Sequence, residues 1–94
     1  MTEPTTSNKK IPRSFICPLK LDVMYEPVID GEGNTFEKRA LLQWLSLHGV
    51  SPISRQPLHP KQVLPNYALR DTIHEVMGEK WVVERRKELD LILS

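Results

Sequence analysis

The chain carries Cys17-Pro18-Leu19-Lys20 and, further on, Ser51-Pro52-Ile53-Ser54. Each tetrapeptide is a small or polar residue, a proline, an aliphatic residue and a polar residue. Cys-Pro-aliphatic-Cys is the form of a zinc knuckle, a turn that aims two thiolates at one ion. Here three of the four ligand positions hold Lys or Ser, which do not serve as structural zinc ligands. The turns persist and the ligands are gone. The pattern predicts a binding surface with the layout of a zinc scaffold, held together by other means.

The rest of the composition says which means remain. Cys17 is the sole cysteine, so no disulfide framework forms. His48, His59 and His74 complete the supply of soft or imidazole ligands, and no two of the four sit at ligand spacing. Ninety-four residues bury only a modest core. Packing and hydrogen bonds must therefore stabilise it. With 13 Lys and Arg against 12 Asp and Glu, the net charge is +1, too small for phosphate-dominated nucleic-acid binding. Apolar runs of a few residues cannot cross a membrane. A lone cysteine without a signal peptide leads to an expectation of an intracellular protein, cytoplasmic and/or nuclear. Eight prolines imply many fixed turns, which place the binding residues on ordered loops.

Working outward from the two turns, residues 1–10 are polar and aperiodic and read as a disordered leader. Phe15 to Leu21 is a loop pinned by Pro18. Pro27 to Asp30 and Asn34 to Phe36 are β-prone runs around Gly31-Glu32-Gly33, a hairpin signal. From Glu37 to His48, Leu41, Trp44, Leu45 and His48 recur at helical spacing, and Gly49 stands ready to end the helix. Val50 to Leu64 is a proline-rich loop. Asn66 then caps a second helix whose stripe is Leu69, Ile73, Val76 and Met77. Gly78 weakens or breaks it. Residues 79–93 turn helical again through Trp81, Val82, Leu89 and Ile92. The expected architecture is α+β, with a hairpin, a central helix, two long loops and a C-terminal helical region.

Ile11-Pro12, Phe15, Cys17-Pro18-Leu19, Met24, Glu26-Pro27-Val28, Gly33-Asn34-Thr35-Phe36-Glu37, Trp44-Leu45, Pro52, Arg55-Gln56-Pro57-Leu58 and Leu64-Pro65-Asn66 resemble, in order and spacing, the U-box. The U-box is the zinc-free relative of the RING finger found in ubiquitin ligases. The resemblance covers residues 11–78 and leaves 79–94 as a helical extension. Phe36 stands where the family usually has Tyr, Leu19 where Ile is commoner, and Ser51 where Cys or Asp is frequent.

The resemblance implies a ligase that binds a ubiquitin-conjugating enzyme charged with ubiquitin. It positions the thioester for a substrate lysine and forms no covalent intermediate of its own. On that reading Leu19 is the aliphatic anchor of the first turn, with Leu21 a weaker partner. Residues alone leave Leu19 open between core and contact, and leave Trp44 open in the same way. The family places an interface side chain at Trp44, and contact residues at Pro52 and Ile53. Arg55 would reach both the conjugating enzyme and ubiquitin with its planar fork. Lys20, Glu26, Asp30, Glu37, Arg39, Ser51, Ser54 and Asn66 are the candidates for the polar contacts that replace zinc. Cys17, followed by Pro18 and without a histidine partner, reads as a small packing residue and not a nucleophile.

The expected partners are a conjugating enzyme, ubiquitin, an unidentified substrate protein and, in a homodimer, a second copy. No cofactor or metal is expected. Ninety-four residues leave no room for a substrate-recognition domain, so the tail, an adaptor, dimerisation or a larger protein would supply the target. The rival reading is a non-catalytic scaffold of the same fold. The presence together of Leu19, Trp44, Pro52 and Arg55 counts against it, since an inactive copy would be free to lose them.

Overall fold

A computed structural model describes the backbone of residues 11–93 and the side chains of residues 11–91. The expected leader over residues 1–10 and the Ile92 side chain lie outside the described residues. The architecture is α+β. A 3-10 turn at Arg13–Phe15 leads through the first loop to strand β1 (Pro27–Ile29), which pairs antiparallel with β2 (Thr35–Glu37) in the register Val28 opposite Phe36. Asp30 shapes the connection. Its Oδ1 accepts from the N–H groups of Glu32 and Asn34, both at 2.8 Å, while Gly33 takes a φ of 87° that favours glycine.

Glu37 ends β2 and leads directly into helix α1 (Lys38–His48). Gly49 closes α1 in the left-handed conformation, its N–H donating to the Leu45 carbonyl at 3.0 Å. The second loop then returns to the sheet. A two-residue strand, β3 (Leu64–Pro65), pairs antiparallel with the far side of β1, so the sheet order is β2-β1-β3. Reading the sequence for strands misses β3, because two residues carry no alternation and both side chains are exposed. Pro65 fits there because an edge strand can spare an N–H.

Asn66 caps helix α2 (Tyr67–Met77) as expected, its Oδ1 accepting from the Leu69 N–H at 3.1 Å. The stripe of α2 needs one correction. Ile73 is fully buried and Leu69 and Met77 pack against the core, but Val76 is 49% exposed. The core lies along the i, i+4 line of Leu69, Ile73 and Met77, and Val76 falls outside it. Gly78 ends α2, and helix α3 (Glu79–Leu93) follows at once, with the Val82 N–H on the Gly78 carbonyl.

The core gathers Phe15 from the 3-10 turn, Cys17, Val23 and Met24 from the first loop, Val28 and Phe36 from the hairpin, Leu41 and Leu45 from α1, and Ile73 from α2. The first turn is thus built directly onto the core. Among the described residues no three His, Cys, Asp or Glu side chains converge as a metal group, and no helix is long and apolar enough to cross a membrane.

Candidate functional site

The two tetrapeptides fold into the same backbone turn. In the first, the Cys17 N–H donates to the Asp22 carbonyl at 2.9 Å and the Leu21 N–H to the Cys17 carbonyl at 2.7 Å. In the second, the Ser51 N–H donates to the Gln56 carbonyl at 2.8 Å and the Arg55 N–H to the Ser51 carbonyl at 3.0 Å. Bridges between Ile16 and Val23 and between Val50 and Pro57 flank them at matching positions. Leu21 and Arg55 close the two turns with positive φ values of 58° and 67°. L-residues adopt that conformation rarely.

The first position of each turn is buried, and this is where metal-binding chemistry has been replaced. Cys17 is wholly buried, and its Sγ accepts from the Glu37 N–H at 3.2 Å. A thiol enclosed in this way packs and cannot act as an exposed nucleophile. The Ser51 Oγ accepts from the N–H groups of Ile53 (3.1 Å) and Ser54 (3.2 Å), satisfying from within the donors that a metal-bound thiolate would otherwise organise. Glu37 is a further buried polar group, alongside Ser51 and Asp30. Its two carboxylate oxygens accept from the Tyr25 N–H at 2.6 Å and the Glu26 N–H at 2.8 Å, which ties the exit of the first loop to the start of α1.

The expected polar network is therefore present in part and differs in membership. Glu37, Ser51, Asp30 and Asn66 make the bonds described above. The Ser54 Oγ donates to Glu32 Oε1 at 2.6 Å, linking the second turn to the hairpin connection. Lys20 is exposed at the cleft and makes no hydrogen bond or ion pair among the described residues. The Glu26 carboxylate makes none either. Glu26 contributes through its backbone, donating to Glu37 and accepting from the Lys38 N–H. Arg39 is half-buried at the edge of a cleft and likewise makes no ion pair among the described residues. The partners of Asp30, Ser51 and Asn66 lie two to four residues away. Those of Glu37, and the Glu32 acceptor of Ser54, lie 11 to 22 residues away, where sequence reading cannot separate them from Lys20, Glu26 and Arg39.

Trp44 connects the two turns. It is half-buried, and its Nε1–H donates to the Val50 carbonyl at 2.8 Å, immediately before the second turn. The Arg55 guanidinium stands 6.0 Å from its ring centroid, near the outer limit of a cation–π contact, and the His48 ring packs tilted against it at 3.9 Å. On sequence, His48 shares the helical stripe of Trp44 but is not among the expected site residues. Its i, i+4 spacing from Trp44 is the signal that could have found it. Leu19 is half-buried, packs on the core and lines one cleft together with Trp44, so core and surface are not alternatives for it. Pro52 is half-buried, Ile53 is 53% exposed, and Leu21 is 79% exposed.

That cleft, of about 740 Å³, has a second wall built by α3. Two consecutive arginines hold the helix there. Arg85 donates to Asp22 Oδ2 at 3.0 Å, while Asp22 Oδ1 caps the Val23 N–H within the first loop. The Arg86 Nε–H donates to the Tyr25 hydroxyl at 3.0 Å. That hydrogen bond, foremost among the local effects, raises the Arg86 pKa above its ordinary value. Trp81 completes the attachment, packing against the core edge beside Tyr25 and His74. His74 Nε2 lies 2.9 Å from the Tyr25 carbonyl oxygen, which only the Nε2–H form can satisfy.

Comparison with known proteins identifies the family. Residues 11–86 match the U-box domain. U-box domain-containing protein 35 of Arabidopsis thaliana is 47% identical over 64 residues, covering 68% of this chain and 8% of that protein. U-box domain-containing protein 34 of the same plant is 39% identical over 69 residues, covering 73% of this chain and 9% of that protein. U-box domain-containing protein 4 of Oryza sativa subsp. japonica is 36% identical over 69 residues, 72% of this chain and 10% of that protein. The chain thus spans about a tenth of the length of these curated relatives.

Proposed function

This chain belongs to the U-box family, and from that premise we propose that it is a ubiquitin-ligase module. It binds a ubiquitin-charged conjugating enzyme and promotes transfer of ubiquitin to a substrate lysine, without a covalent intermediate of its own. The observation that carries the reading is the convergence on Trp44. Leu19 of the first turn shares a cleft with it, and Arg55 of the second turn stands over its ring. The task is positional and needs an apolar seat plus a donor that spans two proteins. Leu19, Trp44, Pro52 and Ile53 supply the seat, with Leu21 projecting beside it. Arg55 supplies the donor. Its side chain is exposed, and its fork can serve carbonyls on two partners at once.

Incubation with activating enzyme, a panel of conjugating enzymes and ubiquitin yields ubiquitin chains on this reading. Leu19→Ala weakens conjugating-enzyme binding about tenfold or more, as truncation of a central apolar anchor does. Arg55→Ala slows ubiquitin discharge and leaves binding largely intact. Silence across the whole panel would instead favour the non-catalytic scaffold, and equal discharge by Arg55→Ala and the parent chain would remove Arg55 from the mechanism.

A further inference from the structure

We propose that α3 forms part of the conjugating-enzyme site, its Leu89 serving as a second apolar wall facing Leu19 and Trp44; this rests on the docking function proposed above. Sequence reading leaves residues 79–94 without a role, and the fold gives helix α3 (Glu79–Leu93) a fixed place. The Arg85–Asp22 pair attaches α3 to the residue directly after Leu21, the Arg86–Tyr25 bond attaches it to the loop exit, and Trp81 packs on the core edge. The N-terminal half of the helix is therefore held against the first loop. Beyond these ties its next turn faces the cleft, where half-buried Leu89 lines the same space as Leu19 and Trp44, with Leu47 of α1 75% exposed at the rim.

The occupant follows from continuity. Leu19 and Trp44 are the first-turn and helix contacts of the proposed docking face, and the cleft that they line is the one that Leu89 closes on its far side. The space between the walls, about 740 Å³, is open and not filled by α3 itself. It is far larger than one side chain and suits a convex apolar element of the enzyme that already touches Leu19. Asp22 gives the arrangement a mechanical link. One of its oxygens holds the turn and the other holds Arg85, so the two walls keep a set separation.

The test compares Leu89→Asp, Leu89→Gln and Leu19→Ala in the full chain, with dissociation constants measured against an enzyme active in the panel. Single-turnover discharge at saturating ligase and the melting temperature are read in parallel. Leu89→Gln keeps helix propensity and preserves the test should Leu89→Asp disturb folding. The proposal expects Leu89→Asp to raise Kd about tenfold, or ~1.4 kcal/mol, and Leu89→Gln to raise it a few-fold, with the saturated discharge rate unchanged. If both leave Kd unaltered while Leu19→Ala still weakens binding, the second wall is overturned and the docking reading stands. Tighter binding by the Leu89 variants also overturns it, since α3 would then obstruct the site. If Leu19→Ala is silent as well, the docking reading itself falls.

Discussion

The first turn, around Cys17, and the second, around Ser51, have matching backbone hydrogen bonds, matching flanking bridges and a positive φ at the same position, yet they are held in different ways. Ser51 turns its hydroxyl inward onto Ile53 and Ser54, so the second turn closes itself. Cys17 turns its sulfur outward to the Glu37 N–H, and Asp22 reaches across to Arg85. The first turn therefore depends on buried and remote partners far along the chain, whereas the outward links of the second are exposed, from Ser54 to Glu32 and from Arg55 to the Trp44 ring. The physical reason is the acceptor. A hydroxyl oxygen is a compact hydrogen-bond acceptor, whereas a thiol sulfur is a weak one that packs as an apolar group. A knuckle can lose its metal by either route. Where the first residue is serine the turn becomes autonomous, and where it is cysteine the scaffold must supply the constraint.

The sharpest way to break this contrast is Glu37→Ala. The substitution strands two N–H donors, of Tyr25 and Glu26, in a part-buried setting where each lost partner costs about 1–3 kcal/mol. We expect a loss of about 3 kcal/mol, visible as a fall in melting temperature on the order of 15 °C for a domain of this size. Amide exchange should accelerate across residues 21–26 well before it does across 51–56. Uniform acceleration of both turns would mean that they share one constraint, and the contrast would fail.

How much of this was legible follows the same division between local and remote. The second turn, the hairpin around Gly31 and Gly33, the Gly49 stop and the Asn66 cap were readable, because each depends on a few adjacent residues whose backbone demands are specific. The partners of the first turn were not. Asp22 and Arg85 are 63 residues apart, and Cys17 and Glu37 are 20 apart. Lys20 and Glu26 had the same standing in the sequence as Glu37. Only the fold separates the carboxylate that turns inward from the side chains that do not. The two-residue β3 has no pattern to read, and Val76 had the right spacing for a face of α2 that the core leaves uncovered. Arg55 was legible as a position, but its place beside Trp44 depends on α1 and the second turn meeting in space.

An exchange at Ser51 sharpens the contrast with a smaller effect. Ser51→Ala removes the acceptor of two turn donors and should cost about 1–2 kcal/mol. Ser51→Cys installs the first turn's residue in the second turn's setting. Sulfur is the poorer acceptor and, among the described residues, no remote donor like the Glu37 N–H reaches the Ser51 Oγ, so Ser51→Cys should resemble Ser51→Ala in urea unfolding. If Ser51→Cys matches the parent chain instead, the identity of the acceptor is not what divides the two turns.

The smallest effect is the most informative about why the turns are kept. Leu21 holds a positive φ of 58° while its side chain is 79% exposed, so it bears conformational strain and buries little apolar surface in return. The left-handed conformation costs an L-residue roughly 1–2 kcal/mol, and glycine avoids that cost while gaining about 0.5–1 kcal/mol of unfolded-chain freedom to lose. Leu21→Gly should therefore leave the protein as stable or stabilise it by about 0.5 kcal/mol. If stability were the sole requirement at this position, conjugating-enzyme affinity would be unchanged. On the docking reading the exposed leucine is a contact, and affinity should fall a few-fold as stability holds or rises. Stability and binding moving in opposite directions would assign the strain to function. A fall in both would instead show that Leu21 supports the turn, and the two turns would then differ in their closing residue as well as in their opening one.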